Sequence, residues 1–469
     1  MHDQVGDAHS RRGRLGLAVL VAVTALAYFN SLTGPFQFDD YAGPATDSAA
    51  QGWAAWWETL ANRIRPLLKA SYVATHQLGG WLGHATLGHH LGGLLIHVAA
   101  VVAAWRLAFL LASSFGLGAR IAGRAALGCA GLLALHPLAT EAVTYISGRS
   151  VALGTLFVLA AAIAQMQERR VLALTAFVAA LLSREAFVVV PALLMLLEWG
   201  RGCAPGAAFG FTRLRLALRR TALLWAAAAI AIMAMLAHRR YGPLLELSTV
   251  IAQGRLDSPS LLLALEYFAA RLFLLAPLSI DPAVQPEQFG VLARVVASFA
   301  VAAMLALAWR HRARRPWWIL GVGWAIAILV PMYLVPLRHD GVSERHFYPA
   351  LWGVGFALSC ELAARLRPAL AAATGCAVAL ALSAATVLRN ADYSSEVALW
   401  DAASRVPHAG PRAFNNLGVA YLGEGRWSAA RAAFERAITL DGGYTKARAN
   451  LERADAGQRT GDPFAEPEI

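Results

Sequence analysis

The sequence predicts an all-α polytopic membrane protein of about eleven transmembrane helices, followed by a small helical domain. Three observations carry that expectation. The 469 residues are 58% hydrophobic and only 15% charged, with mean hydropathy +0.51. Apolar runs recur at lengths near the ~20 residues of helix that cross a bilayer core. After Arg389 the composition turns soluble. The net charge of +12 sits mainly in short loops between apolar runs. It therefore reads as a membrane-orientation signal and not as a nucleic-acid footprint. The four cysteines have no metal-ligand spacing, and no disulfide is expected.

In chain order, residues 1–14 form a cytoplasmic N-terminus carrying Arg11, Arg12 and Arg14, and 15–388 the transmembrane domain. The first helix, Leu15–Leu32, runs outward by the positive-inside rule and is expected to be retained, although Ala25-Leu26-Ala27 has the look of a cleavage site. A first outer loop over 34–89 holds Trp53, Trp56, Trp57 and Trp81, suited to segments lying in the interface. Later spans are expected at His90–Leu111, Ala125–Ala139 and Val151–Gln165, then in a tight hairpin with its tip at Arg184-Glu185, and at Thr221–Leu236. The last four are expected at Val291–Trp309, Trp317–Val335, Phe347–Ala364 and Ala369–Val387. Leu261–Leu278 contains Glu266 and Arg271 and is expected to be re-entrant or interfacial, which keeps the basic cluster His311–Arg315 inside. Residues 389–456 then face outward, and 457–469 form a loose tail. Leu417-Gly418, Tyr421, Gly425, Ala430, Phe434 and Ala437 follow the spacing of a tetratricopeptide repeat of about 34 residues. One such repeat cannot bury its apolar face alone, so it is expected to pack on the membrane domain or on a partner.

This topology gathers polar residues at the outer face: Asp39, Asp40, Arg63, Arg65, His136, Glu141, Arg149, Arg184, Glu185, Arg338, His339, Asp340, Glu344, Arg345 and His346. Ionisable groups at span ends are costly unless they pair or serve a cavity. Several could be purely structural: Glu141 and Arg149 can pair across their short loop, Arg184-Glu185 can be a hairpin tip, Arg345 a surface anchor, and His136 and His97 packing or capping residues. Taken together they suit an anion held beside a base. Arginine forks match phosphate, and a carboxylate can take a proton from a hydroxyl.

The chain also resembles the transmembrane-and-tetratricopeptide-repeat protein O-mannosyltransferases and their bacterial relatives, within the GT-C class. The resemblance rests on Asn30-Ser31, Gly34, Phe36-Gln37-Phe38-Asp39-Asp40, Arg65-Pro66-Leu67, His90-Leu91 and His97. It continues through His136-Pro137, Thr140-Glu141-Ala142-Val143, Gly148-Arg149, Arg184-Glu185, Glu344-Arg345, Tyr348-Pro349 and Arg389-Asn390. Gly93, Ala139 and Arg184 depart from the Asn, His and Lys expected there, and the repeat array is short.

The resemblance implies transfer of mannose or another hexose from a polyprenyl-phosphate donor to a hydroxyl, of protein Ser/Thr in the first instance, with inversion. It implies Asp39 as base with Asp40 supporting it. Arg65, Arg149, Arg184 and Arg345 would hold the donor phosphate, with His136, Glu141, Glu185 and Glu344 in support. No cofactor is required on this reading, although Asp39 and Asp40 could hold a divalent ion. The implied location is a bacterial inner membrane, with the repeat domain periplasmic and able to dock the acceptor. Two other readings remain: a transporter or flippase of a lipid-linked substrate, for which the inverted repeats of such folds are not found, and a non-catalytic scaffold that presents the repeat domain.

Overall fold

The computed structural model describes residues 2–201, 209–238, 242, 246, 261–282, 291–334 and 342–460. Arg338, His339, Asp340, Cys203 and most of the tail lie outside the described residues. Those described are helical, with no strand among them. The long helices are α1 His2–Ala27, α2 Pro66–Trp81, α3 Ala85–Ser114, α4 Ala119–Leu135, α5 Arg149–Met166, α6 Arg170–Ser183, α7 Val190–Gly200 and α8 Phe211–Ala237. They continue with α9 Leu261–Leu272, α10 Val291–Arg310, α11 Pro316–Leu334, α12 Tyr348–Arg365 and α13 Pro368–Asp392. The C-terminal part is α14 Glu396–Ser404, α15 Pro411–Gly423, α16 Trp427–Leu440 and α17 Thr445–Thr460.

Every apolar run read as a span is a helix, but only seven helices are individually long and apolar enough to cross a bilayer. Among the described residues the count is seven, or eight if one bent pair counts as a span, which does not confirm the expected eleven. The bend is 56° and falls where α4 meets Pro137. Proline has no N–H to continue the ladder and drives the residue before it into extended backbone, and His136 accordingly sits at φ −76, ψ 130. Helices α6 and α7 have 14 and 11 residues. At 1.5 Å per residue they reach about 21 and 16 Å, short of a core of about 30 Å. Helix α9, with 12 residues, is about 18 Å long and equally short.

The core is built on small residues, as lipid-embedded helices require, because close backbone approach replaces the hydrophobic drive that water would supply. Ala122, Ala125, Ala126, Cys129, Ala130 and Leu133 of α4 are fully buried. Where α11 meets α12, a Cβ on Gly321 would stand 2.3 Å from the Gly353 carbonyl. Trp324 and Trp352 pack beside this crossing at 4.5 Å between ring centroids, and their indole N–H groups donate to Pro349 and Ala104 carbonyls.

The two ends of the bundle carry different polar layers. At one end Glu198 takes hydrogen bonds from Gln165 and Arg220, both 2.9 Å. At the same end Glu361 receives the indole N–H groups of Trp317 and Trp318 and the charges of Arg315 and Arg365. The other ends of α5 and α12 begin at Arg149 and Tyr348, inside the layer described next.

The C-terminal helices fold back on one another. Gly425 turns α15 into α16 at φ +69, in the left-handed conformation that glycine adopts without penalty. Gly418 lets α16 close in, since a Cβ there would meet the Phe434 ring at 2.5 Å.

Candidate active site

The layer is organised by one short turn, Tyr145-Ile146-Ser147-Gly148-Arg149-Ser150, which leads into α5. Four of its residues each hold a different part of the layer. The Tyr145 hydroxyl accepts the Asp39 N–H at 2.9 Å. Ser147 donates its N–H at 2.8 Å and its hydroxyl at 2.5 Å to one Asp40 oxygen. Arg149 reaches into the α2–α3 crossing, and Ser150 accepts from Arg184 at 3.1 Å. Gly148 is required where it stands, because a Cβ would lie 1.8 Å from the Glu141 carbonyl oxygen.

The two acids after α1 have different surroundings. Asp40 is 1% exposed, and its second oxygen accepts the Gln37 N–H at 3.1 Å. Burial pushes its carboxyl up to about 7, against the hydrogen bonds from Ser147 and Gln37 that favour the charged form. Asp40 therefore ties the first loop to the Ser147 turn. Asp39 is half-buried, and its carboxylate takes no hydrogen bond from the described residues. Burial, reinforced by Asp40 and Asp39, pushes the Tyr145 phenol well above its ordinary range, so it stays protonated beside them. No group of three His, Cys, Asp or Glu is placed to hold a metal among the described residues. Both Asp40 oxygens accept hydrogen bonds, and Asp39 is the acid of the pair whose carboxylate takes none from the described residues.

The four arginines expected at the site meet in this layer from separate segments. Arg65 holds Glu185 in a bidentate pair, Nε to Oε2 at 2.7 Å with a second contact to Oε1. Burial raises the Glu185 carboxyl, but the charge and hydrogen bonds of Arg65, with Arg184 nearby, outweigh it and hold the group well below the usual carboxylate range. Arg184 donates to His346 Nε2 at 2.9 Å, and His346 contacts the Tyr333 hydroxyl through Nδ1 at 3.2 Å. Arg149 is 1% exposed. It donates to Thr75 Oγ1 at 2.9 Å and to the His89 carbonyl at 2.5 Å, lies over the Tyr72 ring, and pairs with no carboxylate among the described residues. Gly88 and Gly92 make this possible, since either Cβ would strike α2 at 2.2–2.3 Å.

Glu141 does not pair with Arg149. Its oxygens accept the Ser343 hydroxyl at 2.8 Å and the Arg345 N–H at 2.9 Å, and its charge faces Arg345 at 3.5 Å. That brings Arg345 to the layer, 9% exposed, and not to the surface. Glu344 is fully buried. It accepts from Tyr267 and Ser279, both at 2.7 Å, and pairs with Arg389 at 3.2 Å. This draws α9 and α13 onto the layer. His136 caps the turn after α4 through Leu138 N–H and meets the Leu272 carbonyl at 3.1 Å, so its place is at a joint. His97 lies buried between Tyr348 and the Ala134 carbonyl. Arg63 stands apart, paired with Asp47 beside Lys69.

Sequence reasoning missed Tyr145, Ser147 and Ser150, the Thr75–His89 pair that receives Arg149, and Glu396, whose carboxylate accepts the Phe38 N–H at 3.0 Å. The turn Tyr145–Ser150 had one usable signal: three hydroxyl residues packed around Gly148-Arg149 at the head of an apolar run. Glu396 had none, lying more than 350 residues from its partner.

Fold and layer together define an all-helical membrane protein with a polar site at one end of its bundle. No protein-family model matches the chain. A Caenorhabditis elegans protein named Protein O-mannosyl-transferase is 28% identical over 171 residues, covering 34% of this chain and 24% of that relative. The match thus spans about a quarter of the relative's length.

Proposed function

We propose that the protein is a membrane glycosyltransferase of GT-C type, moving mannose or another hexose from a polyprenyl-phosphate donor to a hydroxyl of a protein Ser or Thr. One observation carries this reading. Asp39 presents a half-buried carboxylate with no hydrogen-bond partner among the described residues, in a layer to which separate segments contribute Arg65, Arg149, Arg184 and Arg345. The distant likeness to a protein named as an O-mannosyl-transferase supports the same class. In the reaction, the acceptor oxygen attacks the anomeric carbon in line as the carbon–oxygen bond to the lipid phosphate breaks. The bonding pair leaves with the phosphate, the configuration inverts, and Asp39 takes the acceptor proton.

The charges divide the work. Glu185 neutralises Arg65, and Glu141 faces Arg345. Arg149 forms no ion pair with an acid among the described residues, so its positive charge is available to a leaving phosphate. Charge fixed in place before the reaction stabilises the transition state without reorganisation. Asp40, held by Ser147 and Gln37, positions Asp39. In this reading the site faces the periplasm and the C-terminal helices, as a tetratricopeptide-type unit, present the acceptor.

Asp39→Asn is expected to lower hexose transfer from polyprenyl-phosphate-hexose in proteoliposomes by about 10²-fold or more, with membrane insertion and thermal unfolding unchanged. Mass spectrometry of secreted and periplasmic proteins, with and without the gene, would report sugar and acceptor together. Full transfer by Asp39→Asn, Asp40→Asn and the double variant would remove the assignment.

A further inference from the structure

The loop that carries Asp39 is held in a conformation it does not favour. Phe38 has φ +46, in the left-handed region that a bulky side chain rarely enters. Such a backbone persists only where its surroundings over-determine it. Much of that surrounding structure comes from the chain beyond α13. Glu396 Oε1 accepts the Phe38 N–H at 3.0 Å. The Phe38 ring meets Trp400 edge-on, with centroids 5.1 Å apart. The Gln37 side chain donates to the Tyr393 carbonyl at 2.7 Å. On the far side, Tyr145 and Ser147 hold Asp39 and Asp40 as described. Helix α14 is itself seated: Ser395 caps it by accepting the Ala398 N–H at 3.0 Å, and Leu399, Trp400 and Ala403 are buried. The next helix is tied to the membrane domain by an ion pair between Arg412 and Asp281.

We infer that Glu396 is a positioning residue for Asp39, and that α14 is the strut through which the C-terminal helices set the geometry of the site. This rests on the glycosyl-transfer reading for its consequence in activity, although the strut itself is a statement about the loop. The carboxylate serves here as a hydrogen-bond acceptor and not as a charge, since no cation pairs with it among the described residues. Glutamine offers the same acceptor oxygen at the same reach, and alanine offers none. With the N–H released, Phe38 relaxes toward ordinary backbone and moves Asp39, its neighbour in sequence. A misplacement of about 1 Å at a reacting group can cost on the order of 10²-fold.

The test compares Glu396→Ala and Glu396→Gln in the full-length protein, reading hydrogen exchange over residues 37–41 and hexose transfer from polyprenyl-phosphate-hexose. Glu396→Ala should speed exchange at 37–41 by about tenfold or more and lower kcat by at least about tenfold, with donor KM within about twofold. Glu396→Gln should restore both to within about threefold of the parent. Unchanged exchange in Glu396→Ala, or a glutamine variant as damaged as the alanine one, overturns the strut. If the parent protein transfers no sugar while Glu396→Ala alone speeds exchange, the strut stands and the proposed activity falls.

Discussion

At the scale of single residues, two adjacent carboxylates have been given opposite environments, and pH separates them. Asp40 releases its proton near 3.8 in the unfolded chain, while burial pushes it up to about 7 in the folded protein. Between roughly pH 4 and 7 the folded state therefore binds more protons than the unfolded one. Stability from this group is fully present below that window and is lost as pH rises through it. Compared with Asp40→Asn in detergent, the full-length parent should accordingly show an extra contribution to its unfolding temperature that falls from pH 4.5 to 7.5. An equal slope in both would mean that Asp40 is not the group responsible. The pair was legible in the sequence as two acids just past an apolar helix. Which of them stays open was not, because the answer lies largely in Ser147, and a hydrogen-bond partner more than a hundred residues away leaves no trace in local spacing.

At the scale of elements, the site depends on turns more than on helices. Apolar runs betray helices through hydropathy, which is why each expected span is a helix. Their lengths depend on where Pro137 breaks a ladder or where a hairpin ends early, and a hydropathy window blurs such ends. Loops leave a fainter signal, and the turn from Tyr145 to Ser150 makes the cost of misreading one measurable. A methyl group on Gly148 meets a backbone carbonyl at 1.8 Å, and no side-chain rotation relieves a backbone clash. Gly148→Ala should destabilise the protein by about 1–3 kcal/mol, as overpacking does, and should loosen both Asp39 and Asp40. Gly123, inside α4, has nothing within 4 Å of its missing Cβ. Gly123→Ala should be neutral or stabilising by up to about 1 kcal/mol. Chemical or thermal unfolding of the two variants reads the contrast, and equal effects would deny Gly148 its special place.

At the scale of the whole molecule, the helices join two unlike polar layers. One holds Asp39, Asp40 and the four arginines, and it receives α14 of the C-terminal helices through Phe38. The other holds Glu198 and Glu361, each surrounded by arginines. Helices α5 and α12 run between them, from Arg149 to Gln165 and from Tyr348 to Glu361, so the layers belong to opposite membrane faces if these helices span. Basic residues remain preferentially on the cytoplasmic side, and the turn between α10 and α11 carries His311, Arg312, Arg314 and Arg315. We therefore propose the orientation with that turn inside and with Asp39 and the C-terminal helices outside. Single-cysteine variants, with the four native cysteines replaced by alanine, make this measurable. Arg405 and Arg314 are both exposed. Arg405→Cys should react with a membrane-impermeant maleimide in intact spheroplasts, and Arg314→Cys only after lysis. The reverse pattern would put the carboxylates on the cytosolic side, where the acceptors of a periplasmic sugar transfer are absent. Labelling of both in intact spheroplasts would mean that α10 or α11 does not span as assigned.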